Sequence, residues 1–264
     1  STLAVVDVLT PRSLAEALAL KAERPDAVPI QGGTDVMVEL NFDRARPAAL
    51  LNLNEVPELR GSSRENGTLR LGSGLTYSEA MELADPLGAL AEASRTVGGP
   101  QIRNRGTIGG NLGTASPAGD ALPPLLVYGA EVEVASTRGE RVVPLKEFLV
   151  GPKRNTLEPD ELILAVRLAV PGSRQTFMKI GPRNAMVIAV VSLALAVDDD
   201  EVRASFGSAG PVPGLVSVPL EGRDELPDRV AEAASPIDDV RGTARYRRHA
   251  LRVLTERALE RCLA

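Results

Sequence analysis

Gln101-Ile102-Arg103-Asn104-Arg105-Gly106-Thr107-Ile108-Gly109-Gly110-Asn111-Leu112-Gly113-Thr114-Ala115-Ser116-Pro117-Ala118-Gly119-Asp120 is the stretch that decides how this chain is read. It follows a breaker, Gly98-Gly99-Pro100, and up to Asn111 it is polar with almost no helical or strand period. Glycines let a backbone approach another group closely. Consecutive N–H groups in such a turn form an anion-binding nest, and a helix start beyond it adds a favourable dipole. Thr107 could donate one more hydrogen bond, and Asn111 could bond the loop or a ligand. Pro29-Ile30-Gln31-Gly32-Gly33-Thr34-Asp35 repeats this grammar: an apolar entry, a glycine pair and a hydroxyl. Each loop reads either as a tight turn or as a cradle for a diphosphate. Neither has the spacing G-x-G-x-x-G, and no G-x-x-x-x-G-K-[ST] occurs. Leu71-Gly72-Ser73-Gly74 is half of a fingerprint and is set aside.

Outward from these loops the chain reads as α+β. The spacing predicts a helix opened by Pro11 and closed by Pro25, followed by a short apolar run, 27–30, that feeds the first glycine loop. A short helix 36–40 follows, with Thr34 or Asp35 as its cap. Strands are expected at 48–53 and 68–72, and helices at 76–83, capped by Thr76, and 87–97. Next come a helix 122–128, a hairpin of 131–136 with 141–145, and a strand 161–170. A second region, from Pro171-Gly172 onward, shows strands 176–180, 187–197 and 202–207, with Asp198-Asp199-Asp200 as a solvated turn. The final helix, 244–263, sets Tyr246, Leu251, Leu254, Ala258 and Cys262 on or near one face, and Arg247, Arg248, Arg252, Glu256 and Glu260 mainly on others.

Composition narrows the function. The length, 264 residues, suits about two domains. An apolar fraction of 44% supports a core without staples. Only 3% of residues are aromatic and the net charge is -5, which gives no case for nucleic acid or an anionic membrane. One cysteine, Cys262, holds neither a disulfide within the chain nor an iron–sulfur cluster, and one histidine, His249, closes the usual zinc sites. The stretch 1–7 does not read as a signal peptide, and the longest apolar run, 185–197, is interrupted by Ser192 and too short to span a bilayer. A soluble cytoplasmic protein is expected.

The string from Gln101 to Asp120 closely resembles the signature of the FAD-binding subunits of the molybdenum hydroxylases. That family includes carbon monoxide dehydrogenase, bacterial xanthine dehydrogenases, aldehyde oxidoreductases and nicotine dehydrogenase. The loop from Gln31 to Asp35 is similar to the family's first FAD loop, and the stretch from Asp239 to His249 resembles its C-terminal domain. The resemblance implies a PCMH-type FAD-binding fold over 1–171, in two α/β parts of about 1–55 and 56–171. A smaller α+β flavoprotein domain, 172–264, would follow.

Carried over by position, Gln31, Gly32, Gly33, Thr34 and Asp35 would wrap the FAD phosphates and ribityl chain together with Thr107, Ile108, Gly109, Gly110 and Asn111. Thr114 and Ala115 would continue that wall. Asp120 matches a cofactor contact, Ile163 an apolar contact to the flavin, and Lys179 a lysine near the bound FAD, able to raise its potential. On the residues alone, Asp120 is equally a helix cap and Lys179 an exposed strand residue. Arg103 and Arg105 bind phosphate or pair with carboxylates, His249 is structural or on the surface, and Cys262 is packed or frayed.

The implied protein is a xanthine dehydrogenase-like oxidoreductase subunit with no catalytic residue or metal ligand of its own. Substrate, a purine or another N-heteroaromatic, would be hydroxylated at a molybdenum cofactor on a large partner subunit. Electrons would cross two [2Fe–2S] clusters on a small partner, reach this chain's FAD and leave to an external acceptor. The assembly would be a dimer of heterotrimers. Two departures are the somewhat short chain and the stretch 206–223, only loosely like the family. Rival readings are a stand-alone FAD-dependent oxidase or dehydrogenase using Tyr77, Tyr128 or Tyr246, and a non-catalytic scaffold.

Overall fold

The first strand, β1 (Asp7–Leu9), is continued by a helix, α1 (Leu14–Glu23), because Ser13 Oγ accepts the Glu16 N–H at 3.2 Å and caps it. The architecture is that of a computed structural model, which describes residues 6–172 and 174–264. Residues 1–5, most of the stretch read above for a leader, lie outside the described residues. Next come β2 (Val28–Ile30), α2 (Val36–Asn41) and β3 (Ala49–Asn52). The three strands pair in parallel in the order β1-β3-β2, with α1 as the crossover that parallel pairing requires. The expected cap on α2 is absent: Asp35 makes no capping bond, and none of the helix's residues is buried.

After two single turns of 3-10 helix, β4 (Ser62–Glu65) and β5 (Thr68–Gly72) form a hairpin. Five helices then separate β5 from its next sheet neighbour in sequence. They are α3 (Tyr77–Met81), α4 (Gly88–Thr96), α5 (Pro100–Arg103), α6 (Ile108–Thr114) and α7 (Leu122–Val127). Thr76 starts α3 with a full capping box to Glu79. The stretch expected to lack regular structure, 101–111, winds into α5 and α6. Thr107 caps α6 by accepting the Gly110 N–H at 2.9 Å, in a helix whose sequence is concealed by Gly109, Gly110, Asn111, Gly113 and Thr114.

The chain returns as β6 (Glu131–Ser136), β7 (Gly139–Pro144), the short α8 (Leu145–Phe148), the small pair β8 (Leu149–Gly151) and β9 (Arg154–Asn155), and β10 (Leu162–Ala169). The second sheet is antiparallel, in the order β4-β5-β10-β6-β7. Its central strand β10 is the hinge of the packing. Ile163, Val166 and Leu168 enter the core under α4, α6 and α7, whereas Leu162, Leu164 and Ala165 enter the core shared with α1 and β3. The alternation of the strand serves both cores, and a register shift between Ile163 and Ala165 sends the successive Leu164 and Ala165 into the same one.

A third sheet, antiparallel and in sequence order, holds β11 (Gln175–Ile180), β12 (Val191–Val197), β13 (Glu201–Gly207) and β14 (Gly214–Pro219). Every residue of β12 is buried. Val191, Leu193, Leu195 and Val197 pack towards α9 (Leu226–Ala233) and α10 (Ala244–Leu263), and Ala194 and Ala196 towards the helices on the other face. The fold is thus α+β, and no helix among the described residues is long and apolar enough to cross a membrane. β14 and α9 were not expected. β14 is bounded by a glycine and a proline, and its glycine makes room for Phe206, whose ring a Gly214 Cβ would meet at 2.1 Å.

Along α10 the expected faces need correcting at two residues. Tyr246 is 47% exposed, and Arg247 is buried with 2% exposure. Both terminal nitrogens of the arginine are engaged inside, Nη1 donating to the Ser208 carbonyl at 2.9 Å and Nη2 pairing with Asp239, while Nε has no partner among the described residues. Burial pushes the Asp239 carboxyl up, but the Arg241 N–H and the Arg247 and Arg241 guanidiniums outweigh it and hold it well below the usual carboxylate range. The unfolded chain therefore takes up this proton first as pH falls. The pair's contribution is complete above pH ~5 and is lost as acid protonates Asp239. Arg247→Met removes one of the two guanidiniums that hold Asp239, while Arg241 stays paired with it, and is expected to cost about 2 kcal/mol in urea unfolding at neutral pH. The loss should shrink in acid.

Candidate functional site

The two glycine loops meet. Arg105 Nη2 donates to the Gln31 carbonyl at 3.2 Å, and a Cβ on Gly32 would sit 2.2 Å from the Arg105 carbonyl oxygen. At that position only glycine lets the backbones pass. The isolated bridge between Thr76 and Thr107 aligns a third segment, 72–77, beside them, and a Gly109 Cβ would lie 2.5 Å from Ser73 Cβ. Between the three segments lies an inner chamber of about 310 Å³, which opens into an outer groove of about 800 Å³. Gln31, Gly32, Gly33, Thr107, Gly109, Gly110 and Ile163 line the chamber. Thr34, Asp35, Asn111 and Thr114 line both spaces, and Asp120 lines the groove.

The loops differ in what they offer. The N–H groups of Gly32, Gly33, Thr34 and Asp35 donate to no acceptor among the described residues, so the first loop presents four free donors. The second loop spends its donors internally. Ile108 N–H goes to the Leu75 carbonyl at 2.9 Å, Gly109 to the Ser73 carbonyl at 2.8 Å, Gly110 to Thr107 Oγ1 at 2.9 Å, and Asn111 to the Thr107 carbonyl at 3.0 Å. The expected pair of nests is therefore one nest facing a wall of side chains. Gln31 Nε2, Ser73 Oγ, Asn111 Oδ1 and Asp120 Oδ1 are buried there without a partner among the described residues. Unpaired buried polar groups are costly, and these four share the lining of one cleft.

Three expected residues stand apart from the cleft lining. The Ile108 side chain is fully buried in the core. Ala115 is also buried: it ends α6 in a left-handed conformation, and its carbonyl accepts the Lys153 N–H at 3.0 Å. Lys179 is no exposed strand residue. Its Nζ lies 2.6 Å from Asp120 Oδ2, with side-chain exposures of 6% and 9%. Lys179 thus reaches the groove only through Asp120, and its charge is already countered. Asp120 caps no helix, since the cap position before α7 is Ala121 and no side chain bonds there. Burial pushes the Asp120 carboxyl up while Lys179 pulls it down.

Asp35 anchors its loop by accepting the Thr114 hydroxyl at 2.8 Å, and Glu39 on α2 reaches Lys153 at 3.2 Å. Arg103 holds the Val97 and Gly98 carbonyls, so its expected choice of phosphate or carboxylate is replaced by backbone. Sequence reasoning missed Ser73 in the chamber wall; its signal was the half-fingerprint Leu71–Gly74. Tyr77 also lines both spaces, and burial, then Asp120 and Asp35, raise its phenol far above the usual range. His249 lies in a separate surface groove on α10.

Breaking the Asp120–Lys179 pair distinguishes it from a surface contact. Lys179→Met should cost about 3 kcal/mol in denaturant unfolding, because it strands a buried carboxylate. The double variant with Asp120→Asn should recover most of that loss.

The family described as the FAD binding domain in molybdopterin dehydrogenase matches residues 4–171. The chain is 30% identical over 274 residues to the xanthine dehydrogenase FAD-binding subunit of Escherichia coli O157:H7, covering 96% of this chain and 94% of that one. It is 32% identical over 285 residues to the carbon monoxide dehydrogenase medium chain of Afipia carboxidovorans, covering 98% and 96%. Among solved structures, reconstituted CO dehydrogenase from Oligotropha carboxidovorans superposes with a TM-score of 0.89 at 25% identity, over 98% of this chain and 97% of that chain.

Proposed function

The chain belongs to the family of FAD-binding domains of molybdopterin dehydrogenases, and from that membership we propose that it is the FAD-binding electron-transfer subunit of a heteromeric molybdenum hydroxylase. One observation carries the reading: four unpaired amides, Gly32 to Asp35, face a wall of unpartnered buried side chains across the cleft. That donor set fits a dinucleotide. The amides would hold the diphosphate. Asn111, Thr114 and Asp120 would take hydroxyls of the ribityl chain, and Ile163 would pack on the flavin. Bound FAD supplies the capacity to accept and release electrons; the protein binds, orients and shields it.

The one carboxylate of the cleft outside an ion pair, Asp35, is exposed and accepts the Thr114 hydroxyl, so the cleft offers a stand-alone oxidase no buried free base among the described residues. Glu161 makes a two-bond pair with Arg141 and accepts the Glu158 N–H at 2.8 Å. Asp120 is paired with Lys179, and Tyr77 stays a neutral phenol. Among the described residues of the cleft there is no histidine. Electrons would therefore come from centres on other chains. The reading includes a large molybdenum subunit and a small [2Fe–2S] subunit in a dimer of heterotrimers in the cytoplasm, and a purine or other N-heteroaromatic substrate. It divides this chain into a FAD domain of 1–171 and a smaller domain of 172–264.

The test is purification of the native complex. One FAD per copy of this chain, seen as flavin absorbance and as released dinucleotide, together with two unlike co-purifying subunits, is the expected result. A colourless complex would overturn FAD binding, and a flavoprotein that oxidises substrate alone would favour the stand-alone oxidase. Turnover assays against purines, aldehydes and carbon monoxide then test the substrate class.

A further inference from the structure

We propose that Ser73 is a ligand of the bound dinucleotide, its hydroxyl donating to an oxygen of the diphosphate in the inner chamber. The proposal rests on the FAD reading above and adds a third wall to the two glycine loops.

Ser73 is 3% exposed and lines the chamber, and its Oγ is buried with no partner among the described residues. Its backbone is fully engaged. The N–H donates to the Leu164 carbonyl on β10 at 2.9 Å, and the carbonyl accepts the Gly109 N–H at 2.8 Å. Its Cβ is pressed against Gly109, where a second Cβ would stand 2.5 Å away. The residue is thus pinned between β10 and the start of α6, and the hydroxyl is its one unassigned group. Alanine would fill that space without a buried hydroxyl to satisfy, so the serine is costly unless an acceptor arrives.

The acceptor's chemistry follows from the facing wall. The same chamber is lined by Gly32 to Asp35, whose amides are free donors, and by Gln31, whose buried Nε2 is another. Donors on both sides of one small chamber match a group with oxygen acceptors on all sides. A diphosphate has that character, whereas the rim of a flavin ring mixes donors and acceptors. Fixed donors aimed at an anion also need no rearrangement on binding.

The experiment titrates the flavin-stripped full-length chain with FAD, ADP and riboflavin, as wild type and as Ser73→Ala. Loss of one donor to a charged acceptor should weaken FAD and ADP roughly tenfold each. Riboflavin, which lacks phosphate, should bind both proteins alike. Unchanged FAD affinity in Ser73→Ala would overturn the proposal. So would an equal loss for riboflavin, which would mark Ser73 as a packing residue. A wild-type chain that binds neither FAD nor ADP would instead overturn the FAD reading itself, so the two failures are distinguishable.

Discussion

Gly32 passes the Arg105 carbonyl at a distance that leaves no room for a side-chain carbon, and the site depends on that contact. It joins the end of β2, in the parallel sheet, to the segment that starts α6. The Arg105 guanidinium fastens the same two loops by donating to Gln31. A second close approach, Gly109 against Ser73, brings in the segment after β5. Three pieces of chain, far apart in sequence, are thereby held around one chamber. Glycine acts here first as an absence of bulk. The unpaired amide donors come from only one of the two loops.

This division of labour explains the electrostatics of the cleft. The second loop uses its amides to build α6 and to tie it to β5's extension, so it is rigid and electrically quiet. The first loop keeps its amides free and leads into α2, a helix with no buried residue that is held by Asp35–Thr114 and Glu39–Lys153. Apart from Asp35, which accepts a neutral hydroxyl, the carboxylates along the walls are ion-paired and the phenol of Tyr77 is neutral. An environment of that kind suits a bound electron carrier, whose electronics are tuned by fixed dipoles, better than a reaction needing a mobile proton.

Regular elements were legible in the sequence where apolar period and punctuation agreed. The long α10 stands close to its expected bounds and β12 ends where expected but begins four residues late, at Val191, where the apolar run follows a bend. β14 and α9 were illegible although glycine and proline mark their boundaries: β14 is a half-exposed strand bonded to β13, and α9 is held by the adjacent β14 and α10. The faces of α10 misled at Arg247, whose burial depends on Asp239 and the Ser208 carbonyl, neither visible to helical spacing. The site was legible chiefly through family resemblance. Spacing alone left both loops open between turn and cradle. It could not show that Lys179 lies against Asp120, 59 residues away, or that Ser73 completes the chamber.

The most direct measurement of the central claim is the flavin affinity of the full-length chain carrying Gly32→Ala, beside Gly222→Ala, where a Cβ meets nothing within 4 Å. If the backbone contact at Gly32 builds the site, Gly32→Ala should lose FAD binding by at least roughly tenfold, the equivalent of one 1.4 kcal/mol step. Gly222→Ala should bind as the wild type does. Equal FAD affinity in all three proteins would contradict the account.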